Sequence, residues 1–198
     1  VTELVTGVDL VAAQLRIARG EPLGFGQADV EVRGHAIEAR VYAEDPARGF
    51  LPSAGPIFAW REPSGPGIRV DAGVRAGTVV SVDYDPMLAK VSAWGRTRAE
   101  ALARLGAAVA ETVVLGPSTN LAFLSAVLAH PSFAAGETST SFVDDHLGGW
   151  TPRTSDPRIA LAAAAVHGHE AAPVAGGAGG AAPPPGPWER LGPWRLGR

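Results

Sequence analysis

Cysteine is absent from the chain, which excludes a disulfide framework and any thiolate metal site. An excess of positive charge is also missing, because 17 lysines and arginines are set against 20 aspartates and glutamates, for a net charge of -3. The chain therefore has no electrostatic footprint for nucleic acid or for an anionic membrane. No apolar run approaches the roughly 20 residues that a membrane-spanning helix needs, and the first residues lack the basic start of a signal peptide. These absences favour a cytoplasmic protein with no nucleic-acid or membrane partner.

Apolar residues are plentiful enough for an ordinary buried core. The 198 residues are 46% hydrophobic, which suits one domain or two small ones. No pattern of metal-ligating residues stands out, and we predict no metal site in this chain. The first residue is Val1 rather than methionine, so we expect the chain to be a piece of a longer polypeptide.

Hydrophobic periodicity predicts a helix followed by a series of short strands. Apolar residues recur at helical spacing over 8–18, and Gly20 offers a C-terminal stop. Residues 35–44 alternate in the manner of a strand, which directs Glu38 and Arg40 to one face. The turns that separate the later apolar runs are typical of an antiparallel sheet with one covered face. Further strands are predicted at 57–60, 68–70, 78–82 and 87–94.

Helices are predicted to flank this sheet. Thr97 and Glu100 form a capping-box pattern at the start of a helix that runs to about Glu111. A short strand is predicted at 113–115, and a second helix follows it until Pro131 intervenes. The fold class that these elements indicate is α+β.

The composition changes beyond Trp150. Residues 158–166 are predicted to form one alanine-rich helix. Residues 171–187 are almost entirely alanine, glycine, proline and valine, with too few large apolar side chains to offset the entropy of ordering the backbone. We therefore predict a disordered linker there.

Three sequence clusters carry the most specific signal. The run 34–46 holds several ionisable groups and closes on an Asp-Pro turn, and it is followed by the runs 50–55 and 84–90. Taken in this order, the clusters resemble the C-terminal domain of biotin carboxylase. Residues 1–18 are similar to the segment that follows the family's catalytic glutamate.

The resemblance implies ATP-dependent carboxylation. In the family, ATP with Mg²⁺ converts bicarbonate to carboxyphosphate, which yields CO2 to the ureido nitrogen of biotin on a carrier domain. The family's base, its bicarbonate-binding residues and its ATP-binding lysines precede the segment that matches Val1. We therefore expect this chain to be inactive by itself.

Arg40 matches the family's arginine beside the ureido oxygen of biotin. Removal of the ureido proton places negative charge on that oxygen, and a fixed guanidinium stabilises such charge where water is excluded. On the residues alone, an ion pair with Glu38 or Glu44 is the favoured interpretation of this strand arginine. The resemblance predicts that Arg40 is catalytic and binds biotin.

Two carboxylates are predicted to support Arg40. The strand period of two directs Glu38 to the same face, and Asp85 could orient Arg40 or a neighbouring loop. Aspartate before proline is also common in turns for local reasons, which leaves Asp85 with a second interpretation. His35 is interpreted as an ordinary strand histidine rather than a general base, and Lys90 as structural.

The stretch 116–120 resembles the family's Gly-x-x-Thr-Asn turn, which lies near the nucleotide end of the site in the complete enzyme. Pro117 departs from the residues usual there. We therefore predict only that Ser118 or Thr119 caps the following helix.

The resemblance also implies a domain plan and partners. The tail of an ATP-grasp domain would occupy 1–33, the biotin carboxylase C-terminal domain 34–147, a linker 148–186, and the truncated start of a β-rich interaction domain 187–198. Expected partners are a biotin-carrier domain, the carboxyltransferase β subunit of an acyl-CoA carboxylase, and further copies in a homodimer or larger oligomer. The alternatives are an assembly or dimerisation module, or the C-terminal domain of another ATP-grasp ligase.

Overall fold

The structure is a computed structural model that describes residues 1–152. In this part of the chain the helices are α1 Thr2–Thr6, α2 Leu10–Ala18, α3 Arg98–Glu111, α4 Leu121–Ala129, α5 Pro131–Ala135 and α6 Phe142–Leu147. The strands are β1 His35–Tyr42, β2 Glu44–Asp45, β3 Leu51–Pro52, β4 Gly55–Pro56, β5 Ala59–Arg61, β6 Ile68–Ala72, β7 Val79–Val80, β8 Met87–Gly95 and β9 Val113–Leu115. The predicted α+β class is confirmed. None of these helices is long and apolar enough to cross a membrane.

A three-stranded antiparallel sheet in the order β1-β8-β6 forms the centre of the fold. β1 pairs with β8 from His35 opposite Gly95 onwards. Ile37, Ala39 and Val41 of β1 are buried, and the residues between them lie on the other face. The alternation read from the sequence is therefore confirmed, and it places the chemistry-bearing residues of β1 away from the core.

Helix α3 covers the inner face of this sheet. Its buried residues recur on one stripe of the helix: Ala101, Leu105, Ala108 and Val109. Thr97 caps the helix as predicted, because its Oγ1 accepts a hydrogen bond from the Glu100 N–H at 3.2 Å. The carboxylate of Glu100 turns outward instead of closing the box on Thr97, and accepts from the Arg96 N–H at 2.8 Å. This backbone hydrogen bond is the main cause of a lowered pKa at Glu100.

The remaining strands do not extend the central sheet. They form three separate antiparallel pairs, β2-β3, β4-β7 and β5-β9. Pro52 and Pro56 end β3 and β4, and proline has no N–H with which to continue a ladder. The strand predicted at 57–60 is therefore only partly present, because β5 begins at Ala59. The buried Ile57 precedes β5 and donates its N–H to the Thr78 carbonyl at 2.8 Å.

Helices α1 and α2 precede the sheet and contain no buried residue. The sequence predicted α2 but not α1. Asp9 caps α2 by accepting from the Ala12 N–H at 2.8 Å, so the helix begins at Leu10. The Arg33 N–H donates to the Val5 carbonyl at 2.7 Å, which ties α1 to the residues just before β1.

The predicted cap of α4 is wrong. Asn120 occupies the N-cap position, and no side chain caps this helix. The Ser118 N–H donates instead to Ser53 Oγ at 2.9 Å, because the loop before α4 is held against the loop after β3. The end of α4 at Ala129, ahead of Pro131, is as predicted.

Three predictions concern residues for which the structure gives no description. The helix at 158–166, the linker at 171–187 and the start of a further domain at 187–198 lie outside the described residues.

Candidate functional site

The start of β1 is fixed by a close approach to β8. Gly34 has a φ of 70°, a left-handed conformation that favours glycine. A Cβ there would meet the Gly95 carbonyl oxygen and the Trp94 ring. Trp94 Nε1 also donates to the Arg33 carbonyl at 2.9 Å. His35 follows as the first, exposed residue of β1.

Arg40 lies near the other end of β1, on the face opposite the core. Its side chain is 60% exposed, and its Nε lies 3.5 Å from Oε1 of Glu38, whose side chain is 24% exposed. An ion pair this long and this exposed contributes little to stability. Glu38 and Arg40 therefore share one face, as predicted, and most of the Arg40 side chain is exposed.

Tyr42 follows Arg40 on this face. The Tyr42 side chain, and after it the Glu38 carboxylate, raises the pKa of Arg40 above its ordinary value. The guanidinium is thus a permanent positive charge flanked along the strand by two oxygen-bearing groups.

Charged residues of β8 and β6 continue the face across the sheet. Lys90 lies directly opposite Arg40 in the β1-β8 register and opposite Asp71 in the β6-β8 register. Arg69 of β6 bonds Asp71 at 3.1 Å and Glu3 of α1 at 2.6 Å. Lys90 therefore lies between a like charge on β1 and an opposite charge on β6.

A cleft of about 400 Å³ lies between this face and the first two helices. Its lining includes Glu38, Lys90 and Asp71 of the sheet and Gln14 of α2, but not Arg40. Within residues 1–152, no three histidine, aspartate or glutamate side chains form a group that could hold a metal ion.

Asp85 makes a turn contact, which was one of its two interpretations. Its Oδ1 accepts from the Met87 N–H at 2.8 Å, and Met87 is the residue of β8 that pairs with Tyr42. In the described part of the chain, no hydrogen bond joins Asp85 to Arg40. Burial, and then the negative charge of Asp85, raises the pKa of Glu44.

The residue that sequence reasoning missed is Asn120. It is 6% exposed, and its amide bonds the backbone of β1 on both sides of Val41. Oδ1 accepts from the Tyr42 N–H at 2.9 Å, and Nδ2 donates to the Arg40 carbonyl at 3.1 Å. The available signal was the Gly-x-x-Thr-Asn resemblance, which marked the residue without indicating its contact.

These features define a domain class, namely an α+β domain whose small antiparallel sheet presents an arginine and a carboxylate on its outer face. Residues 38–145 match the biotin carboxylase C-terminal domain family. The chain therefore belongs to that family, and the resemblance seen in the sequence is confirmed.

Several characterised proteins are similar to the chain. The propionyl-CoA carboxylase alpha chain of Ruegeria pomeroyi is 43% identical, over 84% of this chain and 28% of that protein. The biotin carboxylase of Halalkalibacterium halodurans is 47% identical, over 74% of this chain and 32% of that protein.

A solved structure gives the same result. The dimeric biotin carboxylase domain of Hydrogenobacter thermophilus 2-oxoglutarate carboxylase, in complex with MgADP, ADP and bicarbonate, superimposes with a TM-score of 0.73. It is 36% identical, over 74% of this chain and 32% of that chain. This chain thus spans about a third or less of the proteins that it matches.

Proposed function

We propose that this chain supplies the C-terminal domain of a biotin carboxylase. That enzyme uses ATP and bicarbonate to carboxylate biotin on a carrier domain, the first half-reaction of an acyl-CoA carboxylase. Membership of the family supports this function. The single observation that carries the site assignment is Arg40, whose side chain is 60% exposed and whose Nε lies 3.5 Å from Oε1 of Glu38.

Arg40 is proposed to donate hydrogen bonds to the ureido oxygen of biotin. Biotin supplies the ureido nitrogen that accepts CO2, and its loss of a proton leaves negative charge on the oxygen. The planar guanidinium suits this task, because two parallel N–H groups can point at one oxygen region without a proton leaving the arginine. Exclusion of water from the closed site would strengthen the interaction.

Glu38 and Asp85 are proposed as supporting residues. Glu38 lies at 3.5 Å from Arg40 and would limit the directions in which the guanidinium swings. Asp85 fixes the turn before β8 through the Met87 N–H. That turn lies beside Tyr42, which is the next residue along the face of Arg40.

The nucleotide and bicarbonate sites are proposed to lie in the part of the relatives that this chain does not span. The 198-residue chain would then be inactive alone, in a cytoplasmic enzyme that also needs a biotin-carrier domain and a carboxyltransferase β subunit. The family assignment disfavours the alternative of another ATP-grasp ligase.

A contribution to assembly is a second proposed role. The similar Hydrogenobacter thermophilus domain is a dimer, and a face that carries charges of both signs, such as the one across β6, β8 and β1, suits contact with a second copy. Sedimentation of the full-length enzyme tests this role, since a monomer at assay concentrations would contradict it.

The test of the proposed function compares Arg40→Ala with Arg33→Ala in the full-length carboxylase that carries this chain. Arg33 is the matched control, because it is also exposed and also pairs with a glutamate two residues earlier, at 2.7 Å. ADP release and carboxybiotin formation are measured in parallel, with thermal melting as the control for folding.

Loss of one preorganised donor to a developing oxyanion lowers kcat by about 10²–10³-fold. We expect a loss of this size in carboxybiotin formation for Arg40→Ala, a smaller loss in bicarbonate-dependent ATP cleavage, and neither for Arg33→Ala. Normal carboxybiotin formation by a well-folded Arg40→Ala enzyme would contradict the assignment.

A further inference from the structure

Asn120 meets β1 at its one irregular point. The β1-β8 register shifts between Val41 and Tyr42, because Val41 pairs with Ala89 whereas Tyr42 pairs with Met87. The extra residue is Leu88 of β8, and such a bulge disrupts the ladder locally and bends the strand that carries it. Arg40 directly precedes Val41, the last residue of β1 before the shift.

The strand opposite the bulge, β1, is an open edge of the sheet. β1 is the outer strand of the order β1-β8-β6, so the polar backbone groups on its outer edge have no neighbouring strand. Asn120 takes the place of such a strand. Its side-chain amide accepts from the Tyr42 N–H and donates to the Arg40 carbonyl, and its own backbone N–H donates to the Tyr42 carbonyl at 3.2 Å.

This contact joins distant parts of the chain. Asn120 is separated by 80 residues from Arg40, and it sits at the N-terminal end of α4 with no cap bond to that helix. Its amide is therefore committed to β1 instead of to its own helix. The amide of asparagine offers an acceptor and a donor on one short planar group, which matches the neighbouring N–H and carbonyl of the β1 edge.

The contact with Glu38 constrains Arg40 only weakly. Its side chain is mostly exposed and meets Glu38 at 3.5 Å, near the limit of a useful hydrogen bond. The position of the guanidinium therefore depends on where the backbone of β1 places the Cα atom of Arg40.

We propose that Asn120 is a positioning residue for Arg40, holding the backbone of β1 opposite the bulge so that the guanidinium reaches the ureido oxygen of biotin. The inference rests on the proposed function, because it assigns Asn120 a task only if Arg40 acts there. A displacement of about 1 Å in such a group can lower a rate by 10²-fold. Asn120 does not touch substrate and acts through Arg40.

Three variants of the full-length carboxylase test this inference. Asn120→Ala removes both side-chain hydrogen bonds. Asn120→Asp keeps the acceptor for the Tyr42 N–H but loses the donor to the Arg40 carbonyl. Thr112→Val is the matched control, since Thr112 is 7% exposed and its Oγ1 donates a buried hydrogen bond to the Ala108 carbonyl at 2.8 Å, within α3 and its C-cap rather than at the bulge.

Carboxybiotin formation, ADP release and melting temperature are measured for each variant. We expect Asn120→Ala to lower carboxybiotin formation by about 10- to 10²-fold while ADP release falls less, so that the ratio of ADP to carboxybiotin rises. Asn120→Asp should give an intermediate ratio. Thr112→Val should lower the melting temperature without changing the ratio, which separates positioning from loss of stability.

Each variant is also combined with Arg40→Ala. If Asn120 acts through Arg40, Asn120→Ala causes no further loss of carboxybiotin formation in the Arg40→Ala background. Losses that multiply would overturn the inference, as would an unchanged ratio in a folded Asn120→Asp enzyme. If Arg40→Ala itself left carboxybiotin formation unchanged, the proposed function of Arg40 would fail instead, so the two failures are distinguishable.

Discussion

The packing of α3 against the central sheet predicts how much the free energy of unfolding should fall when a buried side chain of α3 is shortened. Leu105 is fully buried, at 0% exposure, and lies on the stripe of α3 that faces the sheet. Replacement of a buried leucine by alanine costs about 2–5 kcal/mol, because transfer free energy is lost and a cavity remains. Leu115 carries the same side chain on β9 at 56% exposure.

The pair Leu105→Ala and Leu115→Ala therefore isolates the effect of burial. We expect the free energy of unfolding to fall by about 2–5 kcal/mol for Leu105→Ala and by no more than about 0.5–1 kcal/mol for Leu115→Ala. In a chain of this length, each kcal/mol lowers the melting temperature by roughly 2–4 °C.

Urea unfolding of both variants, followed by far-ultraviolet circular dichroism, measures the difference. Equal midpoints for the two variants would refute the placement of Leu105 between α3 and the sheet. Because the same sheet carries Arg40, a wrong placement of Leu105 against the sheet would undermine the proposed site as well as the fold.

Two further predictions concern the charged groups of the site. Arg40→Lys in the full-length enzyme should restore only part of the carboxybiotin formation lost in Arg40→Ala, because an ammonium is strongly hydrated and lacks the planar fork; full recovery in parallel ADP and carboxybiotin assays would argue against a guanidinium-specific contact. Glu44→Gln should raise the melting temperature at pH 7, because burial and Asp85 raise the pKa of Glu44 and the folded state therefore disfavours its charged form. The loss of stability caused by the charged Glu44 carboxylate is absent at a pH below both its ordinary pKa and its raised pKa. It grows as the pH rises through the interval between these two values. Melting of Glu44→Gln and of the exposed Glu137→Gln at pH 7 and below pH 4.5, the ordinary value, checks it, and an equal gain at both pH values would contradict it.

The outer face of β1 could be predicted from sequence because its cause is local. Alternation with a period of two depends only on neighbouring residues, so Glu38 and Arg40 were correctly placed together. The cap of α3 was predictable for the same reason, since Thr97 and Glu100 lie three residues apart and bond within one turn.

The contacts that sequence reasoning missed depend on tertiary packing. Nothing local indicates that Asn120 turns away from its own helix to bond residues 78 and 80 positions earlier. Ser118 was a plausible cap by composition, but its N–H is held by Ser53, 65 residues away. The division of the strands into separate pairs likewise depends on tertiary packing. Pro52 of β3 pairs with β2, and Pro56 of β4 pairs with β7, so neither strand joins the central sheet.

The central claim is that this chain belongs to an enzyme that carboxylates biotin at the expense of ATP. The most direct measurement follows labelled bicarbonate into biotin, with ADP release recorded alongside, for the full-length enzyme and for the 198-residue chain alone. We predict labelled carboxybiotin and matching ADP from the full-length enzyme only when ATP, magnesium and biotin are all present, and no label from the chain alone. A folded full-length enzyme that leaves biotin unlabelled under these conditions, or an isolated chain that labels it, would contradict the claim.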